Sequence, residues 1–440
     1  MTTRRELLAG AAGLLGGAVL ARVPTASAAQ QKAATPAPPE VPPEVPREVP
    51  REVPRGVPRE VPREVPRQVP TDATKLQGAP TSAVGSRSAF VTPARTPIGE
   101  VTGSSFTPLQ DLTGTITPAD LHFERHHAGV PLIDPARHTL LVHGLVDRPL
   151  TFSVADIKRF PQVTRTYFVE CSGNGRGAYR EPKPELTAQM VAGLTANTEW
   201  TGVPLKVLLS EAGAKARATW FLAEGGDACV MTRSIPVEKA MDDALVVWAQ
   251  NGEPLRPEQG FPLRLLLPGW EGNTNVKWLR RIELGTAPWM TRWETSKYTD
   301  PLPDGTARQF SFDMDAKSII TAPSHPTVIA RGWWPVTGVA WSGRGAIRRV
   351  EVSTDGGRSW YDAALQGTPL PKAHVRFTHE WEWDGREAIL LSRATDETGY
   401  VQPNRTALVK VRGIGTDFHF NPVVGWRVMA DGRVFFHGET

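Results

Sequence analysis

The stretch YFVECSGNGRGAYR, residues 167–180, sets a thiol between a β-like run and a glycine-rich turn. Cys171 is one of two cysteines in the 440-residue chain, the other being Cys229. A thiolate in such a turn can act as a nucleophile, a redox centre or a metal ligand. A nucleophile wants a nearby base, and no Cys-His hydrolase signature accompanies it. A metal ligand wants a turn that lets the metal approach the backbone, and the glycines of CSGNGRG permit that. A soft thiolate suits a redox metal. One cysteine cannot hold such a metal alone, so other ligands must come from elsewhere, for example from a cofactor bringing its own sulfurs. The competing use of two cysteines in an exported chain is a Cys171–Cys229 disulfide. No C-x-x-C-H occurs, so no c-type haem is covalently attached. The adjacent His126 and His127 are not a chelating spacing, because neighbouring side chains diverge on a regular backbone.

The elements around these residues read as short and mixed. HTLLVHGLV (residues 138–146) is β-rich, DRP is a turn, and SVADIKRF (residues 153–160) is a Ser-capped helix. PLKVLLSEAGA is an amphipathic helix ended by Gly213, while TWFLAE, FPLRLLLPGW and VKWLRRIELG read as strands. From about residue 300 the texture changes to short strands at regular spacing, with a hairpin signal, TDGG, at residues 354–357. The fold class expected is α+β: a mixed domain over 91–302, then an antiparallel β-sandwich of immunoglobulin type over 303–440.

Before these domains the chain carries an address and a spacer. Arg4 and Arg5 precede an apolar run rich in Gly and Ala, and small residues follow at 26–28. Residues 1–28 resemble a twin-arginine export signal, which implies a periplasmic protein exported folded. The apolar run is too short and weak for a membrane span. Residues 29–90 form a Pro-rich linker in which a four-residue Pro-Glu-Val-Arg-type unit recurs; such proline density favours an extended, semi-rigid spacer. A net charge of +4 with no dense basic stripe argues against nucleic-acid binding.

CSGNGR resembles the C-[AS]-G-N-x-R cysteine motif of the sulfite oxidase family of molybdenum enzymes. FERHHAGVP (residues 123–131) resembles that family's F-x-R-[NH]-H segment, and residues 251–284 resemble its longest shared block. MTRSIP and PGWEGN are closer to the family's bacterial sulfane dehydrogenase branch. The resemblance implies molybdenum carried by a pterin dithiolene, molybdopterin, with Cys171 as the single protein ligand to the metal. It implies that Arg125 and Arg176 face an anionic substrate, that Tyr298 donates from its phenol, and that Arg427 reaches back toward the anion site. For the pterin it points to Phe123, Arg125, His126, His127, Asp227, Arg264, Val276 and Lys277. Gln259 and Gly175 depart from the animal enzymes, which carry His and Arg there. The implied activity is oxidation of sulfite or carrier-bound sulfane sulfur, as a sulfane dehydrogenase subunit. Electrons would pass to a separate c-type cytochrome, with a sulfur-carrier protein as a further partner. A homodimer, or a heterotetramer with the cytochrome, is expected. The alternatives are a free-sulfite dehydrogenase, a secreted β-sandwich binding module and a disulfide-stapled structural protein.

Overall fold

A computed structural model describes residues 77–438. The expected export signal, and the Pro-rich repeats up to residue 76, lie outside the described residues. From Val84 onward the chain forms one compact unit. Sheets dominate it, and the α-helices among the described residues are eight residues long at most. None of them is long and apolar enough to cross a membrane.

The first half builds two five-stranded sheets. One runs Glu253–Pro254, Leu245–Gln250, Thr195–Pro204, Val163–Glu170, with Arg264–Leu266 also pairing Leu245–Gln250. Leu245, Val246 and Val247 are hemmed by strands on both sides and buried on both faces, hence the unbroken apolar run LVVW. The other sheet orders Leu150–Ser153, Thr139–Gly144, Leu279–Gly285, Trp220–Gly225, Thr232–Pro236. Its central pair, Thr139–Gly144 with Leu279–Gly285, is parallel. The helix Leu205–Ala212 buries Leu205, Leu208, Leu209 and Ala212, one helical face, and stops at Gly213 with φ 69°. Ser153 starts the helix Val154–Ile157 with a capping box closed by Asp156. The expected strand in FPLRLLLPGW is only Arg264–Leu266, because Pro262 and Pro268 flank it and cannot donate to a ladder.

Among the described residues, every pairing between strands of the second half is antiparallel. Lys317–Ala322, Gly332–Trp341, Val375–Trp383 and Ala364–Gln366 form a four-stranded sheet. Tyr361–Asp362, Ile347–Ser353, Ala388–Asp396, Gly425–Val428 and Val434–His437 form a five-stranded one. Trp341, Phe377, Val350, Leu390 and Trp426 join both sheets in one apolar core. The TDGG signal marks a longer connection than a two-residue hairpin. Val352 pairs with Tyr361, and the Asp355 carboxylate holds the loop by accepting from the Arg358 and Ser359 amides and from Ser359 Oγ. Between the halves, Asp300–Pro301 and Ala307–Arg308 make a small hairpin around Gly305.

Candidate active site

Cys171 leaves the buried end of the strand Val163–Glu170, and Asn174 pins the turn that follows. Asn174 Nδ2 donates to Glu170 Oε1 (2.9 Å) and Ala192 O (3.0 Å), and its Oδ1 accepts from the Leu194 amide (3.0 Å), all buried. Glu170 is held in turn by Lys317 Nζ (3.0 Å) and Trp341 Nε1 (2.7 Å). Gly175 sits at φ 96°, and a Cβ there would lie 3.3 Å from Phe420 Cβ. Gly175 therefore serves the chain reversal and the packing against Phe420. The glycine that faces the pocket is Gly272: a Cβ there would lie 2.8 Å from Glu170 O and 3.3 Å from Cys171 Cα.

A pocket enclosing about 660 Å³ of atom-free space, open solvent at its mouth included, gathers ten of the expected residues. Phe123, Arg125, His126 and His127 come from the edge strand Glu124–His126 and its continuation, Cys171 from its turn, and Asp227 from the loop after Trp220–Gly225. Arg264 comes from its short strand, Val276 and Lys277 from the loop after the 3-10 turn Gly272–Thr274, and Tyr298 from the segment after the helix Arg292–Thr295. Trp278 and Tyr298, both lining the pocket, are held at φ 52° and 47°, backbone strain of a kind that gathers at functional sites.

The pocket is cationic at one end. Lys277 Nζ donates to Arg125 O (3.1 Å), His126 Nδ1 (2.9 Å) and Glu258 O (3.0 Å). His126 Nε2 meets Glu124 Oε2 at 2.7 Å, so Nδ1 accepts and Nε2 carries the proton. Burial, then repulsion from Arg264, brings the Lys277 ammonium down to about 7. Arg264 is 3% exposed, and burial lowers its pKa to about 9. Its Nη1 donates to Gln259, its guanidinium lies 5.3 Å from the centre of the Trp200 ring, and its Nε has no partner.

At the other end, His127 Nε2 and the Tyr298 hydroxyl are 2.7 Å apart. Burial, then Arg125, lowers His127 to about 4, so the imidazole stays neutral. Burial raises the Tyr298 phenol above its ordinary range, keeping it a proton donor. The Arg233 guanidinium lies 5.3 Å from the centre of the Tyr298 ring and within 3.4 Å of the buried Glu271. Burial pushes the Cys171 thiol up, while Arg125 and Arg176 pull it down.

Two expected residues lie outside the lining. Arg176 is beside the Cys171 turn with Nε and Nη2 donating to Asp417 O. Arg427 does not reach the pocket: strand alternation sends Trp426 and Val428 into the core and Arg427 outward, where it pairs with Glu387. Both cysteines are free, so the disulfide alternative is not realised. Cys229 Sγ donates to Asp227 Oδ2 at 2.8 Å, and burial together with that carboxylate raises the thiol to about 12. The sequence reading did not assign Gln259, Asn273 and Asn275 to the site. Gln259 bridges Phe123 O and Arg264, and Asn273 Nδ2 donates to Ser172 Oγ. The polar cluster GNTN between two strands was the available signal.

These residues fit a molybdopterin. Among the described residues no group of three or more His, Cys, Asp or Glu is placed to hold a metal. A metal at Cys171 thus takes further ligands from a cofactor. The buried Arg264, with an unused donor, and the half-buried Lys277 suit that cofactor's phosphate.

The family model described as an oxidoreductase molybdopterin binding domain matches residues 127–293, and a Mo-co oxidoreductase dimerisation domain matches residues 308–425. Mitochondrial sulfite oxidase of Rattus norvegicus is 31% identical over 327 residues, 68% of this chain and 59% of that protein. Sulfite oxidase of Gallus gallus is 30% identical over 68% of this chain and 71% of its own. Nitrate reductase (NADH) of Solanum lycopersicum is 31% identical over 66% of this chain and 36% of its own. The crystal structure of the sulfane dehydrogenase SoxCD from Paracoccus pantotrophus superposes with a TM-score of 0.80 and 43% identity, covering 84% of this chain and 98% of that one. The chain thus spans about three fifths of the rat relative's length.

Proposed function

Because the chain belongs to the sulfite oxidase family of molybdenum enzymes, we propose that it oxidises an inorganic sulfur substrate. The substrate is sulfite or carrier-bound sulfane sulfur, and the electrons pass to a c-type cytochrome. The observation that carries this reading is one pocket joining a single thiol, Cys171, to the cations Arg264 and Lys277, with Arg264 Nε unpartnered. Sulfane sulfur on a carrier is preferred, because the 43% identical structure is that of a sulfane dehydrogenase.

In this reading Cys171 binds the molybdenum. Arg264, Lys277 and His126 hold the pterin and its phosphate, with Phe123, Val276, His127 and Asp227 along the rest of the pocket. The bound group supplies the two-electron oxidation and the oxygen transfer. Arg125, lining the pocket beside Cys171, orients an anionic sulfur group there. Tyr298 stays protonated as a neutral donor, positioned by the neutral His127. Arg233, itself paired with Glu271, lies over the Tyr298 ring. The sandwich half is read as immunoglobulin-like and as the dimer surface, supported by the dimerisation model. The domain limits 91–302 and 303–440, and twin-arginine export to the periplasm, belong to the same proposal.

The test is holoprotein made in a molybdopterin-competent host, assayed for metal and for reduction of cytochrome c with sulfite, carrier-bound sulfane or nitrate. Stoichiometric molybdenum that Cys171→Ser abolishes, with sulfur-dependent reduction, is expected. Full molybdenum and activity in that variant, or turnover of nitrate alone, would sink the reading.

A further inference from the structure

Arg176, beside the Cys171 turn, is not free. Its Nε and Nη2 donate to Asp417 O at 3.1 and 2.8 Å, and Nε lies 3.6 Å from Asp417 Oδ1. The same carboxylate oxygen accepts from Arg180 Nη2 at 2.9 Å. Arg180 also donates to Gly415 O and Thr416 O. The next residues seat the segment on the site. The Phe418 ring centre is 5.1 Å from that of Tyr298 and 5.6 Å from the Arg176 guanidinium, and the His419 amide donates to Ser172 O at 2.8 Å. Residues 415–420, which fall within the segment matched as a dimerisation domain, thus bring one carboxylate, bonded to Arg180, to within 3.6 Å of Arg176, the arginine expected to clamp an anion.

We propose that Asp417 is a specificity-determining residue: by compensating Arg176 it weakens the site's hold on free sulfur oxyanions and favours sulfane sulfur presented on a carrier. The inference rests on the sulfur-oxidation reading above. Sulfite near neutrality is partly a dianion, so its binding gains most from an uncompensated guanidinium pair. A sulfane on a carrier presents less charge and is held by contacts of the carrier itself. The geometry separates charge from position, because Arg176 is tethered chiefly to the main-chain carbonyl of Asp417. Asp417→Asn therefore removes the charge and leaves the tether.

The experiment is calorimetric binding of sulfate, an unreactive oxyanion, to wild-type and Asp417→Asn holoprotein at several ionic strengths, alongside sulfite and carrier-sulfane kinetics. Asp417→Asn is expected to bind sulfate roughly two- to fivefold more tightly at low salt, with the gain fading as salt rises. Its KM for sulfite should fall while carrier-sulfane kcat/KM holds, and Asp417→Glu should restore wild-type sulfate affinity. Unchanged or weaker sulfate binding in Asp417→Asn of wild-type Tm overturns the proposal. If that variant has a lowered Tm, Asp417→Ser, which also keeps the main-chain tether, is read in its place by the same criterion. Tighter sulfate binding in a holoprotein that oxidises no sulfur compound supports the charge compensation and overturns the sulfur-oxidation reading alone.

Discussion

Two side chains at the site are held far from their ordinary state, Arg264 and Lys277. Burial and the neighbouring Arg264 bring the Lys277 ammonium down to about 7, even though three acceptors surround it. A free lysine titrates near ~10.4. Between these values the unfolded chain binds a proton that the cofactor-free folded chain does not. Stability therefore rises with pH through that window and, for this group, is flat below it. Urea unfolding of the cofactor-free protein is expected to show its midpoint climbing from about pH 7 to about pH 9. The climb should vanish in Lys277→Met and shrink in the loaded protein, where a bound phosphate would keep the ammonium charged. A midpoint flat across that window in the wild type would mean that Lys277 is already paired. The same residue explains how binding is tuned: a cation that pays desolvation without an anion is one that gains most when an anion arrives.

At the scale of elements, the decisive fit is between the Cys171 turn and the loop bearing Gly272. A Cβ at Gly272 would sit 2.8 Å from Glu170 O, 3.2 Å from Glu170 C and 3.3 Å from Cys171 Cα, all main-chain atoms that cannot swing aside. Gly272→Ala is expected to cost roughly 1–3 kcal/mol of stability, as overpacking does. It should also lower molybdenum retention by displacing Cys171, read by thermal unfolding and metal content of the same preparation. Stability lost with metal content intact would separate the loop from the ligand. The sequence showed the thiol, the cations and Tyr298 because their types and spacing travel as motifs. It did not show why the glycines are there: Gly175 and Gly272 answer to Phe420 and Glu170, contacts that exist only once distant segments meet. Arg427 fails for a period-two reason that no motif carries, since its neighbours Trp426 and Val428 claim the core side of the strand. Asp417 was invisible because it lies 241 residues from Arg176 and meets it only in the folded chain.

Across the whole molecule, the halves meet directly behind Cys171. Lys317, from the first strand of the C-terminal sheets, donates to Glu170 Oε1 and to Asn174 O, and Trp341 donates to Glu170 Oε2. This pair is almost wholly buried, so removing one partner strands a charge. Lys317→Met is expected to destabilise the protein by about 3–5 kcal/mol, read from denaturant midpoints. The adjoining contact is acid-sensitive. His374 lies against Trp341 and Phe168, its Nε2 is 2.9 Å from Thr195 Oγ1, and its main-chain amide donates to Asn197 Oδ1, so one residue ties the C-terminal half to the strands Val163–Glu170 and Thr195–Pro204. Burial, then Arg376, lowers it to about 3. Below its ordinary pKa of ~6.5 the unfolded chain binds a proton that the folded chain refuses, so stability falls as pH drops toward 3, by up to ~1.4 kcal/mol per pH unit for this group. His374→Gln, which keeps a donor for Thr195, is expected to flatten that acid slope by about one proton in urea titrations between about pH 6 and 4. An unchanged slope would assign the acid loss to His122 or His127, whose pKa values burial also lowers, to about 3 and about 4. Because His374 also stacks on Phe168, in the strand that leads into the Cys171 turn, acid that loosens this seam should release molybdenum before the sheets unfold.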